Sequence, residues 1–317
     1  MRNQATIGKT GLTAFKMGFG AGVVGNEMMY PKMDDEKSRQ LLEAVLDGQF
    51  EMIDTAYIYG QGKSEELIGE MIQKRGARDK LILSTKVSPN PEFIDGKLQV
   101  DNSSKALRLA VEDSLKRLQT DYIDILYLHF PYSSTPLAES AAALADMKKE
   151  GKIKTIGASN LDYQQIQAFN QSDDLNVLQT EYSLLARHAE KEIIPYCLER
   201  DISVIPFFPL ASGLLAGKYR KDQVFTDTSR MNNPMFQGKV YQDNVDRVEQ
   251  FKLFAEKKNA QPAQIALAWL LTRPGVDLII PGATSPDQLA SNLKALDIHL
   301  TAAEHEELNT IFEKPNR

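Results

Sequence analysis

Short apolar, β-branched runs alternate along the chain with longer stretches whose apolar residues recur at helical spacing. The runs predict strands at Lys16–Phe19, Met52–Asp54, Leu81–Thr85, Ile123–Leu128, Lys154–Ala158, Val177–Thr180, Ser203–Phe207 and Leu278–Pro281. Between them, sets such as Ala106, Leu109, Ala110, Val111, Leu115 and Leu118 follow a helical period. Strand–helix alternation implies parallel pairing through right-handed crossovers, and eight such units close a barrel more readily than they form an open sheet. The expected fold is therefore an α/β (β/α)8 TIM barrel, with residues 1–317 as one domain.

Two stretches depart from the repeating unit. Thr6–Ile7 and Thr13–Phe15 flank Gly8-Lys9-Thr10-Gly11, which predicts an N-terminal β-hairpin that plugs the barrel floor. The gap between strands seven and eight, Leu210 to Asp277, holds two extra helical patterns, Asn244–Lys258 and Pro262–Arg273. A long polar loop, Ser212–Gly238, precedes them, and loops of that length are usually functional.

Composition narrows the setting. A chain of 317 residues is within the range of one barrel domain and buries enough core to stand without disulfides. Its one cysteine, Cys197, cannot form an internal disulfide, which suits a reducing compartment. A net charge of −6 disfavours general binding to nucleic acid or anionic membranes. The first residues lack the apolar stretch of a signal peptide, and no apolar run approaches the ~18–20 residues of a membrane span. The expectations are a cytoplasmic location with no nucleic-acid and no membrane partner. Oligomeric state is not legible.

Candidate chemistry gathers at the C-terminal ends of the predicted strands, where α/β barrels keep their active sites. Asp54 follows strand two, Lys86 strand three and His129 strand four; Ser159 and Asn160 follow strand five, Gln179 ends strand six, and Gly282 follows strand eight. Taken singly, each has a bland reading. An aspartate after a strand is commonly a turn former, a histidine among apolar residues is commonly core, and Tyr59, near Tyr57 and Tyr30, could be aromatic packing. A lysine at the end of an apolar strand is less ordinary. A purely structural barrel needs no such set on one rim. Of the four histidines only His129 is on that rim, so no metal site is expected.

Gly20-Ala21-Gly22-Val23-Val24-Gly25 matches the dinucleotide fingerprint G-x-G-x-x-G. That fingerprint needs a helix opening at the glycines and an acid ending the next strand. Here Pro31 follows soon after, and Glu43 and Asp47 lie within the next helix. The Rossmann reading fails. Gly20, Ala21 and Gly22 are better read as a first βα-loop passing close to a ligand.

These same residues resemble the aldo-keto reductase family. Asp54-Thr55-Ala56-Tyr57-Ile58-Tyr59-Gly60 is similar to its D-T-A-x-x-Y-G motif, Ser84-Thr85-Lys86 to its strand-three lysine motif, and Leu128-His129-Phe130-Pro131 to its L-H-x-P. Gly157-Ala158-Ser159-Asn160 resembles G-x-S-N, and Gln179-Thr180-Glu181-Tyr182 resembles Q-x-E-Y. The run Pro209–Lys218 resembles the P-L-x-x-G-x-L-x-G-K of the bacterial branch, and Pro281-Gly282-Ala283 with Asn292 the closing motif. Within the family the likeness is greatest to bacterial members associated with inositol catabolism.

The resemblance implies an oxidoreductase using NADP(H), or NAD(H), on an aldehyde, ketone or polyol. It makes Tyr59 the general acid, Lys86 the ammonium beside it, Asp54 the counter-charge and His129 the donor that orients the carbonyl. Ser159, Asn160 and Gln179 would hold the nicotinamide carboxamide. Phe207, a phenylalanine where relatives often carry Tyr or Trp, would stack on the ring beside Phe208 and Pro209. Leu210, Ser212, Gly213 and Lys218 would wrap the pyrophosphate, with Arg230 closing over it. Thr284, Ser285 and Gln288 stand where relatives often carry Lys or Arg, which weakens the expected grip on a 2′-phosphate. The alternative is a nucleotide-binding regulatory or interaction barrel with little turnover.

Overall fold

In the computed structural model, which describes residues 3–30, 32–95 and 97–313, seven short parallel strands form one curled sheet. Pro31 lies outside the described residues. The strands are β1 (Gln4–Thr6), β2 (Thr13–Phe15), β3 (Phe19–Gly20), β4 (Met52–Asp54), β5 (Ile82–Val87), β6 (Glu92–Ile94), β7 (Lys97–Gln99), β8 (Ile123–Leu128), β9 (Ile153–Ser159), β10 (Leu175–Glu181) and β11 (Ser203–Phe207). The sheet runs β11-β10-β9-β8-β5-β4-β3. Its central strands are buried on both faces, which is why they read as continuous apolar runs. Helices α1 (Asp35–Asp47), α2 (Lys63–Arg75), α3 (Ser104–Leu118), α4 (Leu137–Lys149), α5 (Tyr163–Phe169) and α6 (Ile193–Leu198) connect the strands. The order continues with α7 (Thr228–Met231), α8 (Gly238–Lys257), α9 (Pro262–Leu271), α10 (Pro286–Leu293) and α11 (Ala302–Phe312). The fold is α/β, and its curled parallel sheet is consistent with a (β/α)8 barrel.

The predicted eighth strand is a single bridge instead. Ile279 pairs in parallel with Met17, and Gly18 N–H donates to Ile279 O at 2.8 Å. Ile279 N–H returns to Lys16 O at 3.0 Å, and Gly20 N–H donates to Pro281 O at 3.3 Å. On the other edge, Val204 N–H donates to Gly275 O at 2.8 Å. Segment 275–281 thus touches both edges of the sheet. Pro281 has no N–H to extend a ladder.

β1 and β2 pair antiparallel. Ile7, Leu12 and Ala14 from this hairpin join Met52, Ile82, Ile125, Val177, Ile205 and Leu278 in a small inner cluster enclosed by the sheet. A larger layer, including Leu42, Ile68, Val111, Leu144 and Trp269, seals sheet to helices. Two stretches differ from the sequence reading. The β6–β7 hairpin was not foreseen, because exposed Phe93 and Ile94 break the usual polar face. The loop before α8 contains one short helix, α7, and two 3-10 turns, at Ala211–Ala216 and Pro234–Phe236. It is pinned by edge-to-face contacts among Tyr219, Phe225 and Phe236. Among the described residues, no helix is long and apolar enough to cross a membrane.

Candidate active site

Parallel register brings the polar strand ends to one level: Asp54 pairs with Ser84, Lys86 with Tyr127, and Ser159 with Gln179. Asp54 is 2% exposed and uses both carboxylate oxygens. Lys86 Nζ donates to Oδ2 at 2.5 Å, while Ser84 Oγ (2.6 Å) and Gln179 Nε2 (2.8 Å) donate to Oδ1. Lys86 Nζ also donates to Thr55 O at 2.9 Å and lies 5.2 Å from the Tyr59 ring centroid. Burial opposes the charge on Lys86, but the Asp54 carboxylate and Tyr59 outweigh it and hold its pKa above the usual lysine value. A cation kept charged where water is excluded acts strongly on its neighbours.

Tyr59 is placed by a turn in which Gly60 and Gln61 adopt positive φ. A Cβ on Gly60 would sit 1.9 Å from Gly25 O, so the position after the tyrosine admits only glycine without moving the first loop. His129 meets the Tyr59 ring edge-on at 6.5 Å between centroids and stacks on Phe130 at 4.1 Å. Burial, helped by the Lys86 charge, holds the His129 pKa well below its ordinary value, so the imidazole is neutral. Its buried Nδ1 has no hydrogen-bond partner within the protein.

Beside this centre, Asn160 Nδ2 donates to His129 O at 3.0 Å and to Ser159 Oγ at 3.1 Å. Asn160 adopts φ +59°, a left-handed conformation that asparagine tolerates better than most residues. A groove of about 370 Å³ opens between the loop after β11 and the segment before α10. Phe208, Leu210, Ser212, Gly213 and Lys218 line one wall. Gly282, Thr284, Gln288 and Asn292 line the other. The first wall turns sharply through positive φ at Phe208, Ala211, Ser212 and Gly213. Arg230 closes toward it, with Nε donating to Ser212 O at 3.3 Å and Nη1 to Asp227 Oδ2 at 2.9 Å. Gln288 Oε1 accepts from Thr284 N–H at 2.8 Å, and Asn292 Nδ2 donates to Gly282 O at 3.4 Å.

Some candidates stand elsewhere. Gly20 and Ala21 serve the backbone: a Cβ on Gly20 would sit 2.5 Å from Ile280 O, and wholly buried Ala21 donates its N–H to Asp54 O at 2.8 Å. Gly22 is the one that faces the centre, with a Cβ placed there 3.7 Å from Tyr59 Cζ. Phe207 meets Phe208 edge-to-face at 5.3 Å. Pro209 is a groove residue. Cys197 is buried, and burial pushes its thiol up to about 12, so it packs and does not react. Sequence reasoning missed Ser84, Tyr127, Gln261 and Ser291. Ser84 was detectable, since it precedes Lys86 by one strand period on the same face. Gln261 and Ser291, which hydrogen-bond at the groove wall, carry no local signal.

Residues 16–313 match the profile of the Aldo/keto reductase family. The chain is 33% identical over 313 residues to aldo-keto reductase YhdN of Bacillus subtilis, covering 97% of this chain and 93% of that protein. It is 33% identical over 313 residues to the NADH-specific methylglyoxal reductase of Escherichia coli, covering 94% of each. It is also 32% identical to a probable voltage-gated potassium channel subunit beta of Arabidopsis thaliana, covering 92% and 90%. Among solved structures, the glycerol dehydrogenase AKR11B4 of Gluconobacter oxydans superposes with a TM-score of 0.87 at 30% identity, covering 98% of this chain and 95% of that one. An aldo/keto reductase of Klebsiella pneumoniae in complex with NADP and acetate gives 0.75 at 29%, covering 99% and 96%. The chain belongs to the Aldo/keto reductase family and is an NAD(P)H-dependent oxidoreductase of carbonyl compounds.

Proposed function

We propose that Tyr59 is the proton donor and acceptor of this reaction, with Lys86, Asp54 and His129 as its supporting set. One observation carries the reading: a buried ammonium, Lys86, neutralised by Asp54 at 2.5 Å and standing 5.2 Å from the Tyr59 ring. Such a cation stabilises negative charge that develops on a neighbouring oxygen during proton transfer. A neutral His129 can donate one hydrogen bond to a carbonyl oxygen without competing for the Tyr59 proton. General acid catalysis of this kind is worth ~10²–10⁴-fold, and donors aimed at the developing oxyanion add to it.

The residues present fit a nicotinamide dinucleotide. Gln179 and Asn160 commit their N–H groups to Asp54 and His129 O, which leaves each an oxygen to accept from a carboxamide NH2. Ser159 Oγ accepts from Asn160 and keeps its own hydrogen to donate. Phe207 supplies a flat apolar face. The groove wall at Leu210, Ser212, Gly213 and Lys218, with Arg230 above, suits a pyrophosphate. When bound, the cofactor supplies or takes the hydride.

The adenosine end of the groove has no basic side chain at Thr284, Ser285 or Gln288, so NADPH is preferred over NADH only weakly. The substrate is a carbonyl compound or the matching polyol. The similarity to the glycerol dehydrogenase structure puts polyols in the assay. Met29 and Tyr30, which line the groove, are read with Met28, Tyr57, Phe130 and residues of the long loop as its mouth. We also read residues 1–317 as a single (β/α)8-barrel domain closed through Ile279.

The test is turnover of aldehydes, ketones and polyols with each cofactor, repeated with Tyr59→Phe. The variant is expected to bind cofactor normally while kcat falls at least ~10²-fold. Near-normal turnover would remove Tyr59 from the role. Nucleotide binding by the unaltered protein with no turnover across the panel would instead favour a regulatory barrel.

A further inference from the structure

Glu65 and Arg117 form an ion pair behind the acid–base centre, and neither has a part in the chemistry assigned above. Glu65, in the first turn of α2, is wholly buried. Its Oε2 accepts from Arg117 Nε at 2.7 Å, and its Oε1 accepts from Thr85 Oγ1 at 2.6 Å. Thr85 directly precedes Lys86 in β5. Arg117, in the last turn of α3, also donates from Nη2 to Ser114 Oγ at 3.2 Å. Its guanidinium carbon lies 5.0 Å from the Tyr57 ring centroid. A Cβ on Gly62 would lie 2.8 Å from Arg117 Cδ, so the same side chain packs against the Gly62 backbone. Tyr57 and Gly62 are the two ends of the turn that carries Tyr59, joined by Gly62 N–H donating to Tyr57 O at 2.6 Å.

A buried ion pair is a poor source of stability, since desolvating two charges can cost as much as their attraction gains, and an apolar pair of similar volume often serves as well. What this pair supplies is geometry. The rigid guanidinium ties its bond to Glu65 and its contact with Tyr57 into one arrangement. The turn needs support from outside, because it runs through positive φ at Gly60, Gln61 and Gly62. Gln61 adopts that conformation only where its surroundings enforce it. We propose that Arg117, held by Glu65, is a positioning residue for Tyr59: it clamps both ends of the Tyr57–Gly62 turn and so fixes where the tyrosine hydroxyl stands relative to Lys86. The proposal rests on the role given to Tyr59 above.

Removing Arg117 alone would strand the Glu65 charge, so the test variant changes both residues. In Glu65→Gln/Arg117→Met the amide oxygen still accepts from Thr85, and methionine fills the space of the arginine stem without its charge or planar head. The readout is the single-turnover rate of reduction of the best aldehyde in the panel above, with NADPH bound beforehand and at a temperature well below the unfolding midpoint. Cofactor release and unfolding then do not enter. The change is made in the unaltered protein and again in Tyr59→Phe, where no hydroxyl is left to place. A pair that merely supports the fold, or shapes the cofactor site, slows both backgrounds alike when lost. A pair that places the Tyr59 hydroxyl slows only the first.

With Tyr59 present the rate should fall about tenfold or more, since a misplacement of ~1 Å can cost ~10²-fold. NADPH affinity, measured by titration, should stay the same. In Tyr59→Phe the rate should fall no further. An equal fall in both backgrounds, or no fall with Tyr59 present, overturns the proposal. Should the double variant fail to fold, Arg117→Lys carries the same comparison: it keeps a charge facing Glu65 and withdraws the planar head from Tyr57. A loss confined to the protein with Tyr59 supports the positioning role, and an equal loss or none overturns it. Tyr59→Phe turning over as fast as the unaltered protein is a separate result, which removes Tyr59 from the chemistry and takes the proposal with it.

Discussion

The buried cluster around Asp54 and the groove lined by Lys218 and Gln288 satisfy their polar atoms in opposite ways. Around Asp54 the partners are internal: Lys86, Ser84 and Gln179 are all buried and bond to its carboxylate. In the groove, Lys218, Thr284 and Gln288 are exposed, and Arg230 is held by a loop that turns through left-handed residues. The first arrangement is preorganised and costly to disturb. The second is adjustable, so on the proposed assignment cofactor preference can change there while the chemistry stays intact. Substitutions in the two regions should therefore differ in kind.

The largest effect is expected from Lys86→Met. It removes the cation beside Tyr59 and strands Asp54 in the interior. Turnover should drop at least ~10²-fold. Stability should drop by ~3–5 kcal/mol, as when one partner of a buried pair is removed. Adding Asp54→Leu should restore most of the stability, measured by denaturant unfolding, and none of the turnover. Recovery of turnover in the double variant would break the assignment of Lys86 to the chemistry.

Next is Gly157→Ala, below the same centre. A Cβ there would lie 2.3 Å from Cδ1 of the wholly buried Tyr127 ring. Overpacking of this sort costs ~1–3 kcal/mol. An unaltered thermal midpoint would mean that the interior yields more easily than its closed hydrogen bonding implies.

In the groove, Gln288→Arg should tighten NADPH binding roughly tenfold and leave NADH nearly unchanged. A charged hydrogen bond is worth ~1.5–3 kcal/mol, part of it offset by losing the Gln288 bond to Thr284 N–H. Fold stability should hardly move. Equal gains for both cofactors would place the 2′-phosphate away from this wall.

The smallest effect is a pH dependence. His129 is neutral in the folded protein, its pKa held well below 6.5 by burial and by Lys86. Below pH 6.5 the unfolded chain takes up a proton that the folded protein does not. Stability is thus complete above that pH and lost as pH falls beneath it, by at most ~1.4 kcal/mol per unit. In His129→Gln the loss between pH 7 and about 6, under ~1 kcal/mol, should shrink. Identical slopes would show that other groups govern acid sensitivity.

The convergence of Asp54, Lys86 and His129 on one rim was legible in sequence because strand ends are fixed by local pattern. An apolar run must stop where Asp54, Lys86 or His129 begins, and a parallel barrel puts those stops on one rim. The groove was half legible. Pro209 to Lys218 carries its glycines where the backbone turns, but Gln261 and Ser291 reach the wall from helices whose spacing says nothing about a ligand. The eighth strand was overread, since an apolar run does not reveal that Pro281 and a single bridge to Met17 will limit it.

By itself the sequence determined the alternation of strand and helix, the placing of an aspartate, a lysine and a histidine at strand ends, a tyrosine in the turn after the first of them, and glycine at position 60. These follow from period, run length and turn chemistry, all local properties of the chain. Only the tertiary structure decided which oxygen of Asp54 serves Lys86 and which serves Gln179, that the His129 imidazole is neutral, and that Gly60 answers to Gly25 O. Hydrogen-bond polarity and burial depend on groups brought together from distant parts of the chain, and no local pattern records them.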